Sequence, residues 1–380
     1  MTDCHTWIVE TSLPVSYLIQ IENDLFNPEN SSLLEYGSKG SGARRLVVID
    51  ERVGELYFKK ISNYFSQNDI RAHYVFIDAV ETKKNLDTLL TILKEAEQFN
   101  VMRRDEPIIA IGGGVLLDVA GMAANLYRRG VPYIKVPTTL LAIVDASVGV
   151  KTGINFETRR NRLGTYYPPV AAYLDKSFVE TLEDIEISSA LGEILKMAVS
   201  KDSVLFQILE NDGRELYSTK FLNVESADEV IARSVQGMKE ELENNLWEHD
   251  LERVVDFGHS FSPVIEMRSL EDDDVADLTH GQAVTLDVIF SSVISFNRDM
   301  LDLESLNRIF QTAREMKLPT GHPFFFDASM LLESLNDTMK HRNGNQNLPV
   351  PVQIGSSVFL NDVSYDEIKK AAKYMSEINE

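Results

Sequence analysis

Three consecutive glycines, Gly112-Gly113-Gly114, close the apolar run Ile108-Ile-Ala-Ile111 and open a helix-patterned segment at Val115. Backbone N–H groups at a strand-to-helix turn, together with the helix N-terminus behind them, form a site that fits a diphosphate. The spacing is not the Gly-x-Gly-x-x-Gly dinucleotide fingerprint, so on its own it reads equally as a tight turn without a ligand. Asp50 and Asp78 each end an apolar run. They could meet ribose hydroxyls at the carboxyl edge of a sheet, or simply cap the helices that follow.

A second constellation lies farther along the chain. Glu193 in Gly192-Glu-Ile-Leu-Lys196, His259 in Asp256-Phe-Gly-His-Ser-Phe261 and His280 in Thr279-His-Gly-Gln282 offer one carboxylate and two imidazoles. That is a ligand set of catalytic zinc, three protein ligands with one position left open. Their separation along the chain fits structural histidines as well. His5, His73, His249 and His322 stand in terminal or polar surroundings and take no role.

Charge points to a phosphorylated ligand. The chain has 380 residues and a formal net charge of -22. Yet residues 126 to 162 hold seven basic residues (Arg128, Arg129, Lys135, Lys151, Arg159, Arg160, Arg162) against two acids, which reads as a basic pocket in an acidic protein. The acidic balance repels polyanions, so no nucleic-acid partner is expected. The single cysteine, Cys4, forms no intramolecular disulfide and suits a reducing cytoplasm. No apolar run of 18 residues and no signal-peptide pattern is present, so no membrane association is expected.

Several elements must position these groups. Leu46–Asp50, Tyr74–Asp78, Ile108–Gly112 and Tyr133–Pro137 are short apolar runs separated by helix-patterned segments, the alternation of a parallel sheet with crossover helices. Ala171–Asp175 adds a strand, residues 7 to 20 read as an extended strand pair, and Asn27–Gly42 as a polar loop. From Ile185 the pattern becomes amphipathic helix, as in Ser188–Ser200, Ala227–Glu243 and Gly281–Asn297, with few strand signals before Leu348. The expected fold is an α/β domain over residues 1–183 followed by a mainly α-helical domain over 184–380. The acidic run Glu271–Asp277 reads as a solvated loop.

The ordered motifs Gly-Gly-Gly-x-x-x-Asp, Arg-Arg-Gly, Val-Pro-Thr-Thr-Leu, Asp-Ala-Ser-Val-Gly-x-Lys-Thr, Arg-Asn-Arg-Leu-Gly, Gly-Glu-x-x-Lys, Phe-Gly-His-Ser-Phe and His-Gly-Gln-Ala-Val span nearly the whole chain. In this order they resemble the sugar phosphate cyclases, the dehydroquinate synthase superfamily. The resemblance implies a Rossmann-like NAD domain, a helical metal domain, an active site in the cleft between them, and a homodimer. It further implies Zn2+, or Co2+ in its place, on Glu193, His259 and His280. Asp145, Lys151, Asn161 and Lys196 would contact substrate hydroxyls and reacting oxygens. Arg129 and Arg160 would hold the sugar phosphate, with Lys239 and Arg253 as further phosphate contacts. For NAD, Gly113 and Gly114 would face the diphosphate, Asp118, Thr138 and Thr139 would flank it, and Asp50, Glu81 and Lys84 would hold the adenosine half.

Departures from the dehydroquinate synthases narrow the substrate. They carry a second histidine four residues after the one matching His259, where this chain has Pro263, which can neither bind an anion nor move a proton. The runs Tyr127–Gly130, Asn161–Tyr166 and Asn245–His259 resemble the branch acting on sedoheptulose 7-phosphate. Asp256 and His341, placed in the catalytic set, resemble the members that make 2-epi-5-epi-valiolone rather than desmethyl-4-deoxygadusol. The implied reaction oxidises the C5 carbinol, loses phosphate from C7, returns the hydride, opens the ring and closes a carbocycle on the C2 carbonyl. Gln282 replaces the usual glutamate, which is expected to change hydrogen bonding near the metal. Metal-dependent polyol dehydrogenases share the architecture, but an alcohol oxidation needs no phosphate clamp.

Overall fold

A computed structural model describes residues 6–157 and 159–379. Cys4 and His5 lie outside the described residues. In chain order the first half contains β1 (Leu18–Glu22), β2 (Arg44–Asp50), α1 (Glu51–Gln67), β3 (Arg71–Ile77), α2 (Leu86–Phe99), β4 (Ile108–Gly112), α3 (Gly114–Leu126) and β5 (Tyr133–Pro137). Then come β6 (Lys151–Phe156), β7 (Arg159–Tyr166) and β8 (Ala171–Asp175). Six of these strands form one parallel sheet in the order β1-β8-β5-β4-β2-β3.

The strand runs are apolar at almost every position because both faces of the sheet are covered. Leu46, Val48, Ile108 and Ala110 pack into one core with α2 and α3. Their neighbours Val47, Ile49, Ile109 and Ile111 pack into another with Tyr64 and Phe65 of α1. After β2 the next strand is added on one side and β4 on the other, so the strand order switches between β2 and β4 and a crevice opens at their carboxyl ends, beside Asp50 and Gly112.

Two expectations need correcting. Residues 7–17 have no regular structure, and only β1 forms, as an edge strand parallel to β8. Pro14 interrupts the run by lacking an N–H, and the true partner lies 153 residues away (Leu18 opposite Ala171), so a local pairing could not be read there. The antiparallel β6–β7 pair, conversely, was not anticipated from its charged, glycine-containing sequence.

The second half contains α4 (Asp184–Ser200), α5 (Ser203–Ser218), α6 (Ala227–Glu243), α7 (Ser262–Ser269), α8 (His280–Asn297), α9 (Leu303–Glu315), α10 (Pro323–Phe326) and α11 (Ala328–His341). The antiparallel strands β9 (Leu348–Gln353) and β10 (Ser356–Leu360) and helix α12 (Tyr365–Asn379) complete it. α4 starts at a capping box in which Glu183 and Glu186 exchange hydrogen bonds. Its core also takes in Leu140, Ile143, Val144 and Val148 from the turn after β5, so that turn is gripped by the helices. Among the described residues no helix is long and apolar enough to cross a membrane.

Among the described side chains, the basic residues of this stretch do not form one pocket. Arg128 bonds to Asn100, and Arg129 and Arg162 are exposed at separate places. Lys135 is buried beneath the turn after β5, where its Nζ donates to Ala146 O at 2.8 Å and Gly149 O at 2.7 Å. Burial pushes its pKa down to about 8. Lys135→Met leaves both carbonyls without a donor and should cost about 2–4 kcal/mol, seen as a lower urea unfolding midpoint.

Candidate active site

Helices α4 and α8 cross at two glycines. A Cβ on Gly281 would collide with Ser189 O, and one on Gly192 with Gly281 O, so no larger residue lets the backbones come this close. The contact places Glu193, one residue after Gly192, against His280, one residue before Gly281. Glu193 Oε1 lies 3.2 Å from His280 Nε2 and 3.5 Å from His259 Nε2. This oxygen is buried and makes no hydrogen bond. The ligand atoms of the three residues lie within 4.8 Å of one another, forming one cluster that could hold a metal ion.

His259 arrives on a separate loop. Gly258, at φ 77, makes the turn that presents it, and a Cβ there would press on Val284 of α8. The loop is tied down by Asp287 of α8, whose buried Oδ2 accepts from Ser260 N at 2.9 Å, Phe261 N at 2.6 Å and Ser262 N at 2.9 Å. Pro263 is exposed in the first turn of α7, where a missing N–H costs nothing.

Each imidazole has a distinct electrostatic setting. Burial pushes the His259 pKa down to about 4 despite the neighbouring Glu193. Burial acts the same way on His280, but Glu193 and Glu266 overrule it and hold that pKa up to about 10. Glu266 Oε2 lies 3.1 Å from His280 Nδ1, the carboxylate support that orients a metal-binding imidazole. Gln282 has a different task. Its Oε1 accepts from Thr279 N at 3.1 Å within the capping box that starts α8, and the amide keeps the acceptor a glutamate would provide.

Charged groups from both halves face this cluster. Lys196 is buried with Nζ 2.5 Å from Glu193 Oε2; burial would lower its pKa, but Glu193 and Asp145 keep it raised. Asp145 sits on a single π-turn, Ala142–Ala146, of the kind enriched at functional sites. Burial first, and Glu193 second, raise its pKa. Lys151, at the start of β6, pairs with Glu248, which also engages Arg253 and accepts from Tyr166 Oη at 3.2 Å. Arg253 Nη2 lies 2.5 Å from Asp256 Oδ1.

On the sheet side, a groove of about 460 Å3 is lined by Asp50, Asp78, Gly113, Gly114, Thr138 and Thr139, among others. α3 begins at Gly113 with no side-chain cap on its N-terminal N–H groups. A Cβ on Gly113 would press to 3.2 Å from Thr139 Cγ2. Asp50 caps α1 through Arg52 N and Val53 N while it lines the groove, so both roles read from the sequence are compatible.

Other expected residues lie elsewhere. Glu81 and Lys84 do not line this groove: Lys84 Nζ donates to Asp118 Oδ2 at 2.6 Å and Asn161 Oδ1 at 2.5 Å, and Glu81 Oε1 accepts from Arg160 Nε at 3.1 Å. The turn carrying them is tied to the β6–β7 pair through Asn155, Arg160 and Asn161, and to α3 through Asp118. Arg129 follows the 13-residue α3 and is therefore about 20 Å from the glycine turn. Lys239 is half exposed and pairs with Glu243. His341 is exposed on the last turn of α11, whereas its buried neighbour Arg342 donates to Ser260 Oγ at 3.1 Å and stands 3.7 Å from Asp256. His322 is buried rather than in polar surroundings, 3.0 Å from Ala276 O. Glu248, Glu266, Asp287 and Arg342 escaped the sequence reading. Asp287, a lone acid in the apolar run Val284–Phe290, carried the one usable signal.

Gly281→Ala should force α4 and α8 apart, lowering zinc affinity at least tenfold by calorimetric titration and costing about 1–3 kcal/mol of stability. A metal needs His280 neutral, and its proton is held until about pH 10. Zinc affinity should therefore rise with pH, about tenfold per unit between pH 6 and 8, with release of about one proton per ion, measured by chelator competition.

The profile of the 3-dehydroquinate synthase N-terminal region matches residues 74–189, and that of the C-terminal region matches residues 190–343. A 2-epi-5-epi-valiolone synthase of Streptomyces albus is 43% identical over 380 residues, covering 98% of this chain and 91% of the relative. A demethyl-4-deoxygadusol synthase of Trichormus variabilis is 32% identical over 375 residues, covering 95% and 89%. A solved structure of a 2-epi-5-epi-valiolone synthase from Streptomyces hygroscopicus subsp. jinggangensis, with NAD+ and Zn2+ bound, superposes with a TM-score of 0.91 at 41% identity, covering 98% of this chain and 100% of that one. With its sheet half, its helical half and the Glu193, His259 and His280 cluster carried by the latter, the chain belongs to the 3-dehydroquinate synthase family of sugar phosphate cyclases.

Proposed function

We propose that the protein is a 2-epi-5-epi-valiolone synthase, converting sedoheptulose 7-phosphate to 2-epi-5-epi-valiolone and inorganic phosphate in the cytoplasm. The observation that carries this reading is the buried, unbonded Glu193 Oε1 aimed at two imidazoles, in a chain 43% identical over its length to such a synthase. An orphaned carboxylate oxygen facing two ring nitrogens fits a divalent cation, with Glu193, His259 and His280 as ligands. The N-terminus of α3, with no side-chain cap and with glycine at Gly113 where a Cβ would press on Thr139, fits the diphosphate of NAD, with residues 1–183 as the nucleotide domain and 184–380 as the metal domain. When bound, NAD supplies a transient hydride acceptor, and Zn2+, or Co2+ in its place, polarises the reacting oxygen.

The chain's own residues supply positioning and charge. Lys196, held charged by Glu193 and Asp145, can donate to an oxygen that gains negative charge beside the cluster. Asp145, with a raised pKa, is suited to hold a substrate hydroxyl or take its proton. Lys151 and Asn161 approach from the β6–β7 pair, and Arg160 offers its guanidinium to phosphate. Asp256 is fixed by Arg253 at the rim of the same region. Arg129, exposed past the far end of α3, is assigned to the phosphate bound by a second copy of the chain, which makes a homodimer part of this reading.

Incubation with sedoheptulose 7-phosphate, NAD and zinc should release phosphate and give 2-epi-5-epi-valiolone by NMR, and Lys196→Met should lower kcat by about 100-fold or more while NAD remains bound. Demethyl-4-deoxygadusol as product, dehydroquinate from a heptulosonate phosphate, or steady NADH formation from a polyol would each overturn the assignment.

A further inference from the structure

One carboxylate joins the metal cluster to the arginine assigned to phosphate. Glu266 on α7 is buried, with Oε2 3.1 Å from His280 Nδ1 and Oε1 paired with Arg160 Nη1 on β7. The far side of the same guanidinium is engaged by Glu81, whose Oε1 lies 3.1 Å from Arg160 Nε and also accepts from Asn155 Nδ2 at 2.8 Å. The chain His280, Glu266, Arg160, Glu81 therefore runs from the helical half to the strand pair of the other half, across 106 residues of sequence at the Arg160–Glu266 step. Arg160 is paired with Glu266 on the side away from His280, and it is itself shared between two carboxylates.

We propose that Glu266 is a positioning residue that sets metal affinity through His280, and that Arg160 controls how much of the Glu266 charge His280 receives, so that phosphate on Arg160 tightens metal binding. The inference rests on the proposed metal site. A carboxylate on the outer ring nitrogen fixes the tautomer and makes the inner nitrogen a better ligand. A guanidinium on the other carboxylate oxygen draws that charge away. A phosphate that competes for the guanidinium donors returns it to the imidazole. Because binding free energies are reciprocal, the metal then strengthens anion binding by the same factor, although no ligand of one touches the other.

The experiment uses the full chain, stripped of metal and saturated with NAD, titrated with Zn2+ against a chelator and with Co2+ by its visible spectrum, with and without inorganic phosphate. Glu266→Gln, which keeps shape and loses charge, should weaken zinc binding by about 10–100-fold and shift the cobalt bands, with an unchanged circular dichroism spectrum as the folding control. Phosphate should tighten zinc binding to the unaltered protein by about fivefold or more, and this effect should vanish in both Glu266→Gln and Arg160→Gln. Unchanged zinc affinity and cobalt spectrum in Glu266→Gln would overturn the positioning role. A phosphate effect that persists in that variant, as direct ligation of the metal by phosphate would give, would overturn the coupling. Absence of zinc binding in the unaltered protein would instead sink the function proposed above, so the two failures are distinct.

Discussion

The crossing of α4 and α8 at Gly192 and Gly281, where an added Cβ would run into a facing carbonyl oxygen, is the constraint on which the site depends. Interiors are close-packed, so an added methyl group at such a crossing has nowhere to go. Because Glu193 and His280 flank these glycines, the helix separation and the ligand spacing are one quantity. His259 joins them because Asp287, from the same α8, collects three backbone N–H groups of its loop. One helix thus carries a ligand, the glycine that admits its partner and the anchor for the third ligand.

Around that contact the charges are arranged in alternation. Glu193 lies between Lys196 and two imidazoles, Glu266 between His280 and Arg160, and Glu248 between Lys151 and Arg253. A buried charge is costly unless paired, so each acid here has cationic or ring-nitrogen neighbours. Glu193 Oε1 breaks the pattern, since it faces two nitrogens without a hydrogen bond. The exception marks where a further positive charge fits.

The sheet half was legible because its signals are local. Ile108–Gly112, Tyr133–Pro137 and Ala171–Asp175 are strands with the bounds their apolar runs predicted, and Ala227–Glu243 is a helix over its whole amphipathic pattern. Residues 7–20 failed because strand pairing is not local: β1 pairs with β8, far along the chain, and Pro14 interrupts the rest. The basic stretch misled for a related reason. A cluster in sequence is not a cluster in space when an interior strand, β5, and the turn after it intervene, and Lys135 proved to be a buried clamp on that turn.

The residue types alone determined the sheet, the helical second half and the family, since periodicity and ordered motifs are properties of the chain read along its length. They also named Glu193, His259 and His280. That these three converge, that Glu266 supports His280 while Gln282 only caps a helix, and that Arg342 rather than His341 is buried near Asp256 were decided by tertiary structure. The physical reason is distance. Hydrogen bonds and ion pairs act over a few ångströms in space, and sequence separations of 14 residues for His280–Glu266 and 106 for Arg160–Glu266 carry no record of which groups packing will bring within that range.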